Sequence, residues 1–363
     1  MLHGRAALGL VFCVALGSGC SAEIELRPED ETEPEDEEEL PECTPDLTPR
    51  VEDCARGTSD AVPVARVTGD GFHFAADQEF LYYIDDFRPV RLSMSGGEPE
   101  ALTPHDSAGQ DIKYADGFVY WTGDDVLFRV PATGGDPEPL LELEHGSHWA
   151  IAGDYILSAG PYVSPSAVYR TSMTTKETTE ILAEDPEQPV WDIGVGTGRA
   201  LVARMHSVVS VPLEGGEPQV LSDRGAGGLQ PPFEHDGQAY YVGSAPLGGN
   251  LATGTVRVDI DKPSTPELFM PGYGLAYAVD DDALYAHIIP QPTGGEMNRS
   301  RVVRAPFSGE EPAFVTYTSS TSGSGWNAWS NGLVVSGCNV YFIEKCDDGD
   351  PNELRIVTTS KVP

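Results

Sequence analysis

The chain has 363 residues, with 58 acidic residues against 22 Lys and Arg, and its formal net charge is −36. Binding to a phosphate backbone depends on clustered Lys and Arg, so this composition argues against nucleic acid as a partner. No apolar stretch is long enough to form a transmembrane helix, and we expect a protein that is soluble apart from any anchor at its N-terminus.

Residues 1–20 have the pattern of an export signal. Arg5 supplies a positive charge, Ala6–Leu16 is apolar but too short to span a bilayer, and small residues precede Cys20. This pattern resembles the lipobox of bacterial lipoproteins, in which the cysteine is acylated and becomes the first mature residue. Gly17 stands where that family usually has leucine, so cleavage by an ordinary signal peptidase remains the alternative.

If Cys20 is acylated, the resemblance implies a lipid anchor, and Ser21 after the cysteine points to the outer membrane by that family's sorting pattern.

Residues 21–61 form a second segment, with twelve acidic residues between Glu23 and Glu42 against the single base Arg27. Such a segment has almost nothing to bury, and we predict an acidic disordered tether that acts as a spacer.

Four cysteines remain beyond the signal and the lipidation candidate: Cys43, Cys54, Cys338 and Cys346. Three pairings are open on paper, and the simplest joins Cys43 to Cys54 and Cys338 to Cys346, because each pair brackets a short loop. A zinc site is the weaker alternative, since no histidines stand at ligand spacing.

The segment Leu127–Leu140 recurs along the rest of the chain. Copies begin with a strand-like stretch and end near a glycine-rich turn: Val90–Leu102, Val168–Leu182, Val208–Leu221, Val256–Leu268, Val302–Val315 and Leu354–Lys361. The position of Arg129 is also arginine in five of these six copies: Arg91, Arg170, Arg257, Arg304 and Arg355, with Ser210 as the exception. Successive positions are 38 to 51 residues apart, the unit length of propeller repeats.

One unit has room for four short strands: Asp111–Ala115, Phe118–Thr122, Val126–Pro131 and Glu138–Leu141. Turn pairs separate the strands; Asp116–Gly117, Asp236–Gly237 and Asn331–Gly332 mark the first turn, and Gly96–Gly97 and Gly215–Gly216 mark the third. We therefore predict an all-β fold over residues 62–363, a seven-bladed β-propeller of four-stranded antiparallel blades. A two-sheet sandwich, or six blades with an irregular one, are the alternatives.

The last unit ends after its third strand, Glu353–Thr359, whereas Val62–Thr68 is an extended segment that precedes the first unit. We predict that this N-terminal strand supplies the missing fourth strand and closes the ring, because each blade otherwise contacts only its neighbours. The recurrent arginine is predicted to be structural. A catalytic group is needed once, whereas this one recurs at the same point of the third strand.

We expect short turns on one face and long, variable loops on the other, which we call the turn face and the loop face. Candidate binding residues gather near the loop-face starts of the inner strands: His105, His145, His148, Trp149, Trp191, Asp192, Tyr273, Trp326 and Trp329. They could stack on a sugar or peptide, although each Trp could equally fill the space between blades. His145 and His148 lack a carboxylate at matching spacing and make a weak metal signal.

One acidic stretch could hold calcium through oxygen ligands, and its candidates are Asp347, Asp348, Asp350, Asn352 and Glu353. A hairpin tip held by a disulfide is the alternative explanation of the same residues. Calcium is the one cofactor that the sequence suggests. No nucleophile elbow, phosphate-binding loop or dinucleotide fingerprint occurs in the sequence.

The signal with Cys20, the acidic tether and the Leu-Phe-Arg-Val-Pro repeats together resemble the propeller lipoproteins of Gram-negative bacteria, most closely the myxobacterial sets and more distantly TolB-type propellers. The resemblance covers residues 62–363, implies a cell-envelope location with binding or scaffolding, and transfers no catalytic residue. We expect a monomeric, non-enzymatic lipoprotein that binds a protein, peptide or glycan through its loop face. The alternative is a propeller lyase or hydrolase with acid and base groups at the channel mouth.

Overall fold

The structure is a computed structural model, and it describes residues 45, 47, 61–68, 73–104, 109–144, 146–161, 165–224, 230–247, 250–289, 301–317, 332–345 and 353–361. These residues form 28 strands in seven four-stranded antiparallel sheets, and they include no helix. Over the same residues, no helix long and apolar enough to cross a membrane is found. The fold is the predicted seven-bladed β-propeller.

The strands of each blade follow one another along the chain, apart from the N-terminal strand β1 (Val62–Thr68). Blades one to three comprise β2 (Phe74–Ala76), β3 (Phe80–Asp85), β4 (Arg88–Ser93) and β5 (Glu100–Ala101); β6 (Gly109–Ala115), β7 (Phe118–Gly123), β8 (Val126–Pro131) and β9 (Glu138–Glu142); and β10 (Ser147–Ala152), β11 (Tyr155–Pro161), β12 (Val168–Ser172) and β13 (Thr178–Leu182).

Blades four to six comprise β14 (Val190–Gly196), β15 (Arg199–Arg204), β16 (Val208–Pro212) and β17 (Gln219–Ser222); β18 (Phe233–His235), β19 (Gln238–Leu247), β20 (Asn250–Asp259) and β21 (Glu267–Pro271); and β22 (Tyr273–Val279), β23 (Ala283–Ile289), β24 (Arg301–Pro306) and β25 (Ala313–Tyr317). Blade seven comprises β26 (Leu333–Ser336), β27 (Asn339–Lys345), β28 (Glu353–Ser360) and β1.

The ring is closed by β1, as predicted. It pairs antiparallel with β28 over six residue pairs, from Val62 opposite Thr358 to Thr68 opposite Glu353, and the blade has the order β1-β28-β27-β26. Val64 and Val67 are buried and pack in one cluster with Leu81 of blade one and Ile356 of blade seven. The N-terminal strand therefore seals the seam between the last blade and the first.

The core lies between the blades, where the second strands are buried on both faces. One cluster joins Tyr82 and Ile84 of blade one to Ile112 and Trp121 of blade two. Trp121 is completely buried there. This arrangement explains why the second strands are short apolar runs rather than alternating ones.

The recurrent arginine is structural and links neighbouring blades. Arg91 pairs with Glu100 of the fourth strand at 2.7 Å, lies 4.8 Å from the centroid of the Phe80 ring, and donates a hydrogen bond of 2.9 Å to the carbonyl of Ala132 in the next blade. Related contacts occur at Arg129 with Glu138 and Phe118, and at Arg170 with Glu214, Tyr155 and the Leu213 carbonyl. The three bonding modes explain why arginine recurs there.

The seventh copy of the repeat was misaligned by three residues. Thr358, not Arg355, pairs with Tyr341, just as Arg91 pairs with Tyr82 in blade one. The predicted Asn331–Gly332 turn was also wrong, because the turn between β26 and β27 is formed by Gly337 and Cys338. Arg355 lies deeper in the strand and is 2% exposed.

The two blades without this arginine have another polar pair at the positions equivalent to Phe80 and Arg91 of blade one. In blade four, Arg199 of the second strand donates a hydrogen bond of 3.3 Å to Ser210 of the third. In blade seven, Asn339 donates one of 2.8 Å to Thr358. Second and third strands are therefore joined by polar side chains in both exceptional blades.

Because β1 closes the ring, shortening its buried side chain at Val67 should destabilise the fold. Val67→Ala should lower the free energy of unfolding by roughly 2 kcal/mol, because a fully buried valine loses two methyl groups at the seam. Urea unfolding followed by tryptophan fluorescence measures the change. The matched control is Val220→Ala in β17, which is 56% exposed and should change stability by less than about 0.5 kcal/mol. Equal effects of the two substitutions would contradict the role of β1.

Candidate functional site

The first strands of the blades surround a central channel, which opens into a cavity of about 630 Å³. The loop face is the end at which these strands begin, and the turn face is the end at which they turn into the second strands. Residues from six blades line this cavity, including Lys113 of β6, Asp192 of β14 and Val334 of β26, together with Gln230 and Pro231, which precede β18 of blade five. Its position therefore follows from ring closure.

Four polar residues hold the same place in four consecutive blades. The strand pairing identifies this place from a reference position in each first strand. The reference positions are Ala75, Lys113, Ala150 and Gly194, which pair with Tyr82, Tyr120, Leu157 and Leu201 of the second strands. Two positions nearer the loop face, on the same side of each strand, lie His73, Asp111, His148 and Asp192. We call these four residues the polar arc. The corresponding positions of blades five to seven are Pro231, Ala276 and Gly332.

The polar arc alternates histidine and aspartate, and neighbouring members make contact in pairs. Nδ1 of His73 lies 3.3 Å from Oδ1 of Asp111, and Nδ1 of His148 lies 3.7 Å from Oδ1 of Asp192. The side chains of the second pair are 19% and 13% exposed. At this level of the channel, four consecutive blades therefore contribute titratable side chains, and the other three contribute small or apolar residues.

Lys113 extends from the layer below toward the arc. Its Nζ lies 3.7 Å from Oδ2 of Asp111, donates a hydrogen bond of 2.5 Å to the carbonyl oxygen of Trp149, and lies 4.3 Å from the centroid of the Trp149 ring. An acidic side chain, a backbone carbonyl and an aromatic face together hold this ammonium group. The face of the Trp149 ring is covered as a result.

Burial alters the titration of the second pair in opposite directions. Desolvation, reinforced by the positive charge of Lys113, lowers the pKa of His148 to about 4. Desolvation raises the pKa of Asp192 to about 7, against the opposing effects of Lys113 and of the hydrogen bond from the Ile193 amide. At neutral pH, His148 is therefore an uncharged imidazole beside a carboxyl group that is close to half ionised.

A second cavity of about 420 Å³ continues from the arc over the loop face. It shares His73, Asp111, Ser147 and Trp149 with the channel cavity and adds further acidic residues. We call its carboxylates the acidic groove: Asp111, Asp124, Asp125 and Glu144. Asp124 and Asp125 form the turn between β7 and β8, with φ values of 50° and 62° that favour small polar residues.

Three of the predicted binding residues line the channel cavity: His148, Trp149 and Asp192. Trp149 is 2% exposed, so it fills space between blades rather than offering a stacking surface. Trp191 is half-buried at an irregularity in the pairing of β14 and does not line the channel cavity. Tyr273 begins β22, and its side chain is not described.

The other predicted site residues lie outside the described residues, and their roles stay predictions. They are the binding candidates His105, His145, Trp326 and Trp329, the calcium candidates Asp347, Asp348, Asp350 and Asn352, and the cysteines Cys20, Cys43, Cys54 and Cys346. Glu353 begins β28 without a described side chain, and the pairing of Cys338 also stays a prediction. Within the described part of the chain, no group of three or more His, Cys, Asp or Glu is placed to hold a metal ion.

Sequence reasoning missed His73, Asp111 and Lys113. A signal for the first two was present, because both stand near the start of the first strand of a blade, at the register of His148 and Asp192. Counting back from the first turn of each repeat would have found the alternation. The sequence contained no comparable signal for Lys113, since its place in the layer below is held by Ala75, Ala150 and Gly194 in the neighbouring blades.

No family model matches this chain, and no curated protein matches it either. Solved structures resemble it in fold. The WD40 domain of coronin from Toxoplasma gondii is 13% identical, covers 86% of this chain and 88% of its own, and has a TM-score of 0.53. The CNH domain of AfRom2 is 12% identical, covers 85% of this chain and 98% of its own, and has a TM-score of 0.51.

A TolB-type structure from Agrobacterium tumefaciens is 12% identical over 83% of this chain and 90% of its own, with a TM-score of 0.41. At these identities the comparisons show the propeller fold alone. The myxobacterial type stays a prediction.

The raised pKa of Asp192 predicts a pH-dependent gain in stability on its neutralisation. A folded-state pKa raised from 3.8 to about 7 means that ionisation opposes folding, so the stability contributed by the protonated form is lost as pH rises through that range. Asp192→Asn should therefore match the wild type near pH 4 and exceed it by on the order of 2 kcal/mol at pH 8. Urea unfolding across this pH range measures the difference.

The control is Asp116→Asn at the turn-face end of the same propeller, where φ is 50° and the residue is exposed. Asparagine tolerates this backbone conformation, so the control should show no comparable pH-dependent gain. A gain for Asp192→Asn that does not grow with pH would contradict the desolvation argument.

Proposed function

We propose that this chain is a non-enzymatic, lipid-anchored cell-envelope protein that binds a partner through the loop face of its propeller, with the polar arc at the centre of the contact. The observation that carries the proposal is the polar arc itself. Four consecutive blades direct His73, Asp111, His148 and Asp192 toward one side of an open cavity, whereas the equivalent positions of the other three blades are apolar or small.

The connections at the loop face support a binding role. Ile289 at the end of β23 pairs with Tyr273 at the start of β22, so the β23–β24 connection leaves from the loop face. That connection spans the 11 residues 290–300, and the β25–β26 connection spans the 15 residues 318–332. On the turn face, by contrast, only Asp116 and Gly117 join β6 to β7. Long connections on a rigid scaffold are where binding sites concentrate.

The envelope location rests on the N-terminal sequence. The export signal with Cys20 supports a lipid anchor, and the acidic segment of residues 21–61 supports a spacer between that anchor and the propeller. Acylation of Cys20 and sorting to the outer membrane are part of the proposal. The partner is a protein, peptide or glycan.

Site-directed cross-linking in the producing cell tests the binding face. A photoreactive phenylalanine analogue at Ser147, which lines both cavities, should give specific adducts. The same analogue at Asp116 on the turn face is the matched control and should give none of these adducts. Identical adducts from both positions, or none from Ser147, would contradict the proposed face.

A second candidate function, an acid–base enzyme, is favoured by the His148–Asp192 pair. A neutral imidazole 3.7 Å from a carboxyl group that holds a proton near pH 7 provides one base and one acid at the same point. This function predicts turnover of a polysaccharide or peptide with a bell-shaped pH profile and limbs near 4 and 7.

Screening such substrates with the wild type and with Asp192→Asn distinguishes the two functions. For an enzyme, the substitution should lower turnover by roughly 100-fold or more, because it removes the proton donor. Equal rates for the two proteins would exclude Asp192 as a catalytic residue.

A further inference from the structure

We infer that the partner is a protein or peptide with a basic segment, and that one of its Lys or Arg side chains enters the channel and pairs with Asp192 while neighbouring basic residues lie on the acidic groove. The inference rests on the proposed function and names the chemistry of the partner. Its basis is the charge and continuity of the two cavities on the loop face.

The described residues lining the two cavities carry an excess of acidic groups. Five carboxylates face one lysine, Lys113, and no arginine; the carboxylates are Asp111, Asp124, Asp125, Glu144 and Asp192. Asp124, Asp125 and Glu144 are exposed, whereas Asp192 lies within the channel. A cavity with one sign of charge and low-dielectric walls attracts ligands of opposite charge, and the net charge of −36 strengthens that field.

Lys113 does not take the place of the ligand's cation. Its ammonium group is held by the carbonyl oxygen and ring of Trp149 and by the carboxylate of Asp111. The side-chain contact of Asp192 is with His148, which is uncharged at neutral pH. A guanidinium or ammonium group at Asp192 would supply a full positive charge to a desolvated carboxylate.

The aromatic side chains of the cavity argue against a glycan stacked on the channel wall. Lys113 covers the Trp149 ring, and Tyr114 is stacked on Tyr82 with ring centroids 5.3 Å apart. Tyr277 packs edge-on against Phe233 at 6.4 Å. Because internal partners use these rings, the groups left for recognition are mainly charged and polar.

The same geometry links binding to pH. The titratable groups around Asp192 are His148 of β10 and Asp111 and Lys113 of β6, and Gln230 before β18 lines the same cavity. A cationic ligand must displace the proton of Asp192 below pH 7, whereas above pH 7 it meets a carboxylate that is already ionised. Affinity should therefore rise as pH increases from 6 to 8, with His148 neutral throughout.

The test measures fluorescence anisotropy of a fluorescein-labelled peptide of three Arg-Gly repeats with the full chain at pH 8 and physiological salt. A matched peptide has citrulline in place of each arginine, which keeps the shape and removes the charge. We expect the arginine peptide to bind at least about tenfold more tightly. Asp192→Asn should weaken its binding by about fivefold or more and abolish the pH dependence.

Asp116→Asn removes the same charge from the turn face and controls for general attraction to this acidic chain. It should change affinity by less than about twofold. A combined Asp124→Asn, Asp125→Asn and Glu144→Gln variant should weaken binding and reduce its dependence on salt. The changed residues of this variant are exposed, and circular dichroism checks that it is folded.

Equal binding of the citrulline peptide would overturn the inference, as would equal losses in Asp192→Asn and Asp116→Asn, which would show non-specific attraction only. Specific cross-links from Ser147 combined with either result would leave the proposed function standing with a partner of different chemistry. Failure of the cross-links themselves would instead remove the proposed function.

Discussion

The backbone pairing between β1 and β28 is the constraint on which the rest of the structure depends. Each blade packs only against its neighbours, so an open ring would leave the apolar faces of blades one and seven in water. Supplying the fourth strand of the last blade from the N-terminus places Val64 and Val67 at that seam. The central channel, and hence any site that draws on several blades, exists because the ring is closed.

The candidate site arises where the blades differ at one register. Every first strand begins at the loop face, and in four consecutive blades the residue at that level is His73, Asp111, His148 or Asp192. The fold brings these equivalent positions together, because the first strands of all seven blades surround one axis. Sequence differences between the blades then make the site asymmetric. The other three blades have small or apolar residues at this position, so the polar arc lies on one side of the channel. Burial then shifts His148 and Asp192 toward their uncharged forms.

The recurrent arginine shows how far repeat reasoning reaches and where it fails. Five copies share one register, and Arg91 and Arg129 form ion pairs with Glu100 and Glu138. The seventh copy was shifted by three residues, because local sequence similarity at Arg355 outweighed the strand register. Pairing with Tyr341 identifies Thr358 as the true equivalent of the arginine, and Asn339, which donates a hydrogen bond to Thr358, stands at the position of the aromatic ring.

The sequence by itself determined the number of blades, their four-stranded pattern and the closing strand, because repeat spacing, turn residues and apolar runs are local properties of the chain. It also indicated His148, Trp149 and Asp192, since these residues stand at the starts of inner strands. The tertiary structure decided which polar side chains meet, for His73, Asp111 and Asp192 come from separate blades. It also decided that Trp149 is covered by Lys113 and that Asp192 is desolvated. Distances and burial depend on how the blades pack around the axis, and no single repeat encodes that packing.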